Sequence, residues 1–182
     1  MEATTLTERQ KMALKGKVLH VGSGGTSLPE WCGKCDEVRL DIDPGCNPDI
    51  VGDIRNLGEI GKFDVILSSH VIEHLYEHEL AQVFSEFQRV LNDDGVMIMF
   101  VPDLEGIKAT DEIVYISYFG TPVTGLDMIY GMTDAIKDMP FMAHHTGFTK
   151  DRLEKVLSAA GFVDVSVTRH PYNLMGVGRK AK

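Results

Sequence analysis

Lys17-Val18-Leu19-His20-Val21-Gly22-Ser23-Gly24-Gly25 is an apolar run that breaks into glycines, and Arg39-Leu40-Asp41 closes a second strand-like run sixteen residues after Gly25. Glycines directly after a strand let backbone N–H groups crowd a ligand. An acid at the end of the next strand can accept hydrogen bonds from a ribose diol. The pair therefore points to a cofactor that carries a nucleoside. A Gly-x-Gly-Gly alone is often only a loop, so the acid and the later segments decide the matter.

Further along, Ile50-Val51 is a short run ending at Gly52-Asp53, and Phe63 to Leu67 is a fourth strand with Ser68-Ser69 at its end. Leu80, Val83, Phe84, Phe87, Val90 and Leu91 fall on one helical stripe within His78–Leu91. Asn92-Asp93-Asp94-Gly95 stops that helix before Val96-Met97-Ile98-Met99-Phe100-Val101, a run without alternation that suits a strand covered on both faces. A second clean helix is predicted over Lys150–Ala160, capped by Thr149 and ended by Gly161. Val163, Val165 and Val167 alternate in the next strand, and Tyr172–Val177 offers a last one. A weaker helix is expected over Thr5–Leu14, and at most one turn after Pro29 toward Trp31. Strands alternating with helices at this spacing predict an α/β fold with a mainly parallel sheet.

The segment from Pro102 to Gly147 breaks the pattern and is too long for an ordinary connection. It holds Tyr115, Tyr118, Phe119, Tyr130 and Phe141 with Met128, Met132, Met139 and Met142, and helical fragments are expected near 110–119 and 125–137. Residues 103–147 are expected to form a cover that shapes an apolar substrate pocket, or a surface for a homodimer.

The chain has 182 residues, 43% of them apolar, which suits one domain over 1–182 with a substantial core. Its 27 acidic and 18 basic side chains give a net charge of −9. That balance repels phosphate backbones, so no nucleic-acid partner is expected. No signal peptide or membrane span is evident, and a cytoplasmic location is expected. Cys32, Cys35 and Cys46 are an odd set, read as reduced thiols rather than a zinc site, which normally takes four ligands.

In order, these segments resemble the class I S-adenosylmethionine-dependent methyltransferases, in their small-molecule, type 11-like branch, from about Lys17 to Lys180. Val18–Gly25 resembles the family's first motif, Leu40-Asp41-Ile42-Asp43-Pro44 the second, and Gly52-Asp53-Ile54 the third. Phe63–Leu75, ending in Glu73-His74-Leu75, is the strongest match. Arg89–Gly95 and Thr146–Thr149 are further pieces. The resemblance implies a Rossmann-like seven-stranded sheet with helices on both faces, an antiparallel last strand and, in this chain, shortened early helices. It implies methyl transfer from S-adenosyl-L-methionine to a small-molecule acceptor. A closer likeness, to a group whose members carry Arg-Leu-Asp-Ile-Asp-Pro, suggests sugar or cell-surface precursors. Gly22 and Gly24 would admit the methionine portion, Asp41 would bond the ribose, Asp53 and Ile54 would meet the adenine, and Ser68 and Ser69 would wall the strand end.

The usual acid before the first glycine is His20 here, and the third motif glycine is Thr26. These departures leave open a non-catalytic methyltransferase-like scaffold or dimerisation module. A nicotinamide-dependent oxidoreductase fits less well, because Ser27 stands where a Gly-x-Gly-x-x-Gly pattern needs glycine. An activated methyl donor needs chiefly alignment of its partner. A base near neutral pKa would help a hydroxyl or amine acceptor, and His70, His144 and His145 are the candidates, with His70 and His145 the leading pair. His70, His74 and His78 recur every fourth residue, but His78 is expected to open the next helix, and no metal site is expected.

Overall fold

Val, Ile, Leu and Phe runs bounded by glycines and acids become the strands. The structure, a computed structural model, describes residues 16–28, 32–117 and 120–182. The expected helix over Thr5–Leu14, the turn through Trp31, and Tyr118 and Phe119 lie outside the described residues. In chain order the strands are β1 (Lys17–Val21), β2 (Asp36–Asp41), β3 (Ile50–Val51), β4 (Phe63–Ser69), β5 (Leu91–Pro102), β6 (Ile113–Ile116), β7 (Pro122–Thr124), β8 (Phe162–His170) and β9 (Asn173–Lys180). The helices are α1 (Leu80–Val90), α2 (Gly125–Tyr130), α3 (Thr133–Asp138) and α4 (Lys150–Ala159).

Seven strands form one sheet in the order β3-β2-β1-β4-β5-β9-β8. Neighbours from β3 to β5 pair in parallel, whereas β9 runs antiparallel to both β5 and β8. The last strand thus inserts antiparallel, as expected. Only a 3-10 turn, Pro44–Cys46, occupies the link between β2 and β3. From β1 the chain moves outward to β2 and β3, then returns to place β4 on the other side of β1. Ligands in such sheets bind at this reversal, beyond the carboxyl ends of the strands. Gly22 follows β1 there, and Ser69 ends β4 there.

The stripe on α1 buries Leu80, Val83, Phe84, Phe87 and Val90. Leu153 and Leu157 of α4 join them over one face of the sheet, against Leu19, Ile66, Met97 and Met99. The other face carries Val18, Val65, Leu67, Ile98 and Val177, with Leu28, Cys32 and Cys35 packed against it. Thr149 caps α4 by accepting the Arg152 N–H, and Gly161 takes the left-handed conformation (φ +85°) beyond its end. Among the described residues no helix is long and apolar enough to cross a membrane.

The segment after β5 corrects one expectation. Residues 113–116 form β6, an antiparallel partner of β7, instead of a helix near 110–119. Ile113, Val114, Tyr115 and Ile116 are β-branched or aromatic, and pairing across a hairpin suits them better than a weakly amphipathic helix. The second fragment is helical but split. Thr124 and Asp127 cap α2 reciprocally, and Gly131 (φ +89°) ends it before α3 begins. Tyr115 stacks on Tyr172 at 4.7 Å, which fastens this cover to the β8–β9 turn.

Candidate active site

Gly22 and Gly24 both have positive φ (+59° and +53°), which glycine adopts without the strain of a Cβ. A Cβ on Gly22 would overlap Val71 Cγ2, so the glycine turn touches the segment after β4. A Cβ on Gly24 would meet nothing within 4 Å. The Gly24 N–H donates to Asp41 Oδ2 at 2.7 Å, and the Asp43 N–H to Oδ1 at 2.9 Å. Asp41 is 8% exposed. Each of its oxygens keeps acceptor capacity beyond its backbone partner, so the turn and the acid fit a ribose-bearing ligand. Arg39 fastens the same region by donating to the carbonyls of Gly24, Cys46 and Asn47.

Asp53 lies in a fork with Arg55, whose Nε and Nη2 donate to its carboxylate at 2.6–3.0 Å. The Arg55 hydrogen bond is the main reason its carboxyl sits below the usual range. Arg55 also reaches Glu79 Oε1 at 2.7 Å. The Ile54 side chain belongs to the main core. Ser68 is fully buried with an Oγ that has no hydrogen-bond partner, whereas Ser69 at the strand end is half-buried. His20, in place of the usual acid, is buried and pairs with Glu37 at 2.9 Å. Burial, with Cys35 and Glu37 adding to it, pushes the Cys32 thiol up to about 12, so it carries no charge at neutral pH.

Beyond β4 the chain turns sharply. His70 has φ +56°, uncommon for a residue with a side chain, and its N–H donates to Phe100 O. Its Nδ1 lies 3.0 Å from Glu73 Oε1. The Glu73 side chain is 1% exposed, and its Oε2 has no partner. The His70 ring lines the cleft and keeps 44% of its side-chain surface open. Burial there opposes protonation most strongly; the hydrogen bond and charge of Glu73, with Asn173 beside the ring, overcome it and raise the His70 pKa. Burial likewise pushes the Glu73 carboxyl up, but His70 and the His74 charge outweigh it and hold it below the usual range.

A cavity of about 190 Å³ opens at this point. His70, Glu73, His74, His144, Tyr115 and Asp127 form its polar wall, and Pro102, Val123, Met128, Met132 and Met142 its apolar wall. The methionine-rich cover thus contributes the pocket lining. Burial holds the His144 imidazole below its ordinary pKa. His145 is placed differently: its ring stacks on Tyr76 at 4.1 Å and is not part of the cavity wall. The backbone amides of His145 and Thr146 donate to Glu73 O at 2.8 and 3.0 Å, which brings His144 alongside His74. Sequence reasoning gave Glu73 no chemical role. Its signal was the carboxylate between two histidines at spacings of three and one.

Residues 19–99 match the profile of a family described as a methyltransferase domain, a stretch spanning the glycine turn, Asp41, Asp53 and Glu73-His74. That match covers a little under half of the chain, and together with the strand order it makes the chain similar to the class I S-adenosylmethionine-dependent methyltransferases. The fold is similar to that of DhpI in complex with SAH (TM-score 0.65, 16% identity, 96% of this chain and 81% of that one). It is also similar to a SAM-dependent methyltransferase from Archaeoglobus fulgidus (TM-score 0.62, 14% identity, 91% and 86%). Human N-acetylserotonin methyltransferase in complex with SAM is a third (TM-score 0.62, 12% identity, 96% and 50%). No curated protein matches the sequence.

Proposed function

We propose that the enzyme methylates a small molecule held in the cavity beside His70. The observation that carries this reading is the close approach of Gly22 to Val71, which brings the glycine turn beside the segment holding His70, Glu73 and His74 of the cavity wall. S-adenosylmethionine supplies an already activated methyl group, so alignment is the main requirement. On this chain Asp41 would hold the ribose, Gly22 and Gly24 the methionine portion, and Asp53, oriented by Arg55, the adenine edge, with Ile54, Ser68 and Ser69 behind.

His70 is proposed as the base. Its Nδ1 faces the Glu73 carboxylate, which leaves Nε2 to take a proton from an acceptor. His145, stacked on Tyr76, is suited to fixing the corner before α4 rather than to touching an acceptor. The apolar lining accommodates a hydrocarbon body, and the polar wall would orient a hydroxyl or amine. A sugar or cell-surface precursor is the first class to try, for its hydroxyl groups. Ile113, Ile116, Tyr130 and Phe141, exposed on the cover, are where a homodimer would form.

Calorimetry with S-adenosylhomocysteine, followed by turnover on a panel of small acceptors, tests the proposal. His70→Ala is expected to lower turnover about a hundredfold or more while leaving cofactor affinity intact. His145→Ala should change it far less. Full turnover in both variants removes the base role, and failure to bind the cofactor removes the whole proposal.

A further inference from the structure

We propose that Glu73, His74 and His144 form a binding site for one divalent transition-metal ion, open to the acceptor cavity. One ligand atom from each residue lies within 4.8 Å of those of the other two. Two ligands across a cation at ordinary Zn–N or Zn–O distances stand at most about 4.2 Å apart. Small rotations of the three side chains therefore close the set.

Three features distinguish this cluster from a chance grouping of polar residues. The Glu73 carboxylate is 1% exposed, and its Oε2 is buried with no hydrogen-bond partner, an expensive condition that a cation would relieve. Oε1 of the same group is held by His70 Nδ1, so the orphaned oxygen is fixed in direction. Both histidines are also oriented by backbone. His74 Nδ1 lies 3.2 Å from Ala143 O, and His144 Nδ1 lies 3.1 Å from Met128 O. A carbonyl can only accept, so Nδ1 carries the proton in each ring and Nε2 keeps its lone pair. Backbone-anchored imidazoles of this kind are the usual support for metal ligands.

Two imidazoles and one carboxylate suit zinc and the other first-row divalent ions better than magnesium or calcium, which prefer all-oxygen sets. Three protein ligands leave at least one position free, and all three residues line the cavity. A hydroxyl of the acceptor on that position would be oriented and acidified within reach of His70. The role in methyl transfer rests on the proposed function, but the ion site itself does not.

The test uses the whole chain stripped with a chelator. Calorimetry with Zn²⁺ alone and the visible absorption of added Co²⁺ report binding without any turnover. One ion per chain is expected. His74→Ala and His144→Ala should each weaken binding more than about a hundredfold, and His70→Ala about ten- to a hundredfold through the Glu73 carboxylate. Glu73→Gln, which keeps an acceptor for His70, should weaken binding with the fold preserved by circular dichroism. Affinity should be unchanged in His145→Ala and in a Cys32→Ser/Cys35→Ser double variant. Absence of stoichiometric binding, or binding that survives both His74→Ala and His144→Ala, overturns the site. Binding lost in the cysteine variant would assign the ion elsewhere and overturn it equally. If the metal binds while no acceptor is methylated, the proposed function fails alone.

Discussion

Gly24 donates its amide hydrogen to Asp41 Oδ2 across 2.7 Å, so the residue suited to hold a ribose also shapes the glycine turn. Through Oδ1 the same carboxylate receives the Asp43 N–H at 2.9 Å. One side chain thereby ties the end of β2 to the turn after β1.

Asp41→Asn keeps the size of this side chain but turns one acceptor into a donor facing a backbone N–H. Affinity for S-adenosylhomocysteine should fall about ten- to a hundredfold, and stability by about 1–3 kcal/mol. Calorimetry and urea denaturation measure the two effects. Undiminished affinity would mean that the carboxylate serves the turn alone.

Gly22→Ala places a methyl group against Val71 at a φ of +59°. Left-handed strain and overpacking together should cost about 2–4 kcal/mol. Adding Val71→Ala ought to recover the packing part and leave the backbone part. A double variant no more stable than Gly22→Ala would contradict the contact.

Arg55 holds both the Asp53 and Glu79 carboxyls below their ordinary pKa, by hydrogen bonding first in each case. A lowered carboxyl contributes stability above its unfolded pKa of about 4, and loses it as pH falls through the folded value. Arg55→Gln should therefore cost up to about 1 kcal/mol at neutral pH, a ceiling set by the partial exposure of the cluster. The difference from the parent should shrink at pH values below about 4, and with added salt. A gap independent of pH in urea titrations would refute the assignment.

Phe87 is fully buried on α1 and meets Phe84 edge-on at 6.2 Å. Phe87→Ala should destabilise the enzyme by about 3–5 kcal/mol through lost burial and the cavity left behind. A loss under about 1 kcal/mol in denaturant unfolding would show that α1 is not anchored through this ring.

The parts of the fold that were legible in the sequence are those where one local periodicity meets one large apolar surface. The stripe of Leu80, Val83, Phe84 and Phe87 gave α1, and the unbroken run from Val96 to Val101 lies within β5. The cover was harder, because a strand pair at the edge of a pocket buries too little for its alternation to show. Ile113 and Ile116 remain exposed, so β6 lacks the one-sided pattern that identifies a strand.

The sequence by itself determined the glycine turn, the Asp41 carboxylate beside it and the alternation that builds the sheet, since each is a local matter of backbone freedom, charge and spacing. Only the tertiary structure decided which histidines share a wall. His74 and His144 stand seventy positions apart, and they meet because Glu73 O accepts the amides of His145 and Thr146. The same chain turn sends His145 out to Tyr76 and His144 inward. No local pattern carries that choice, because it depends on where the cover segment docks.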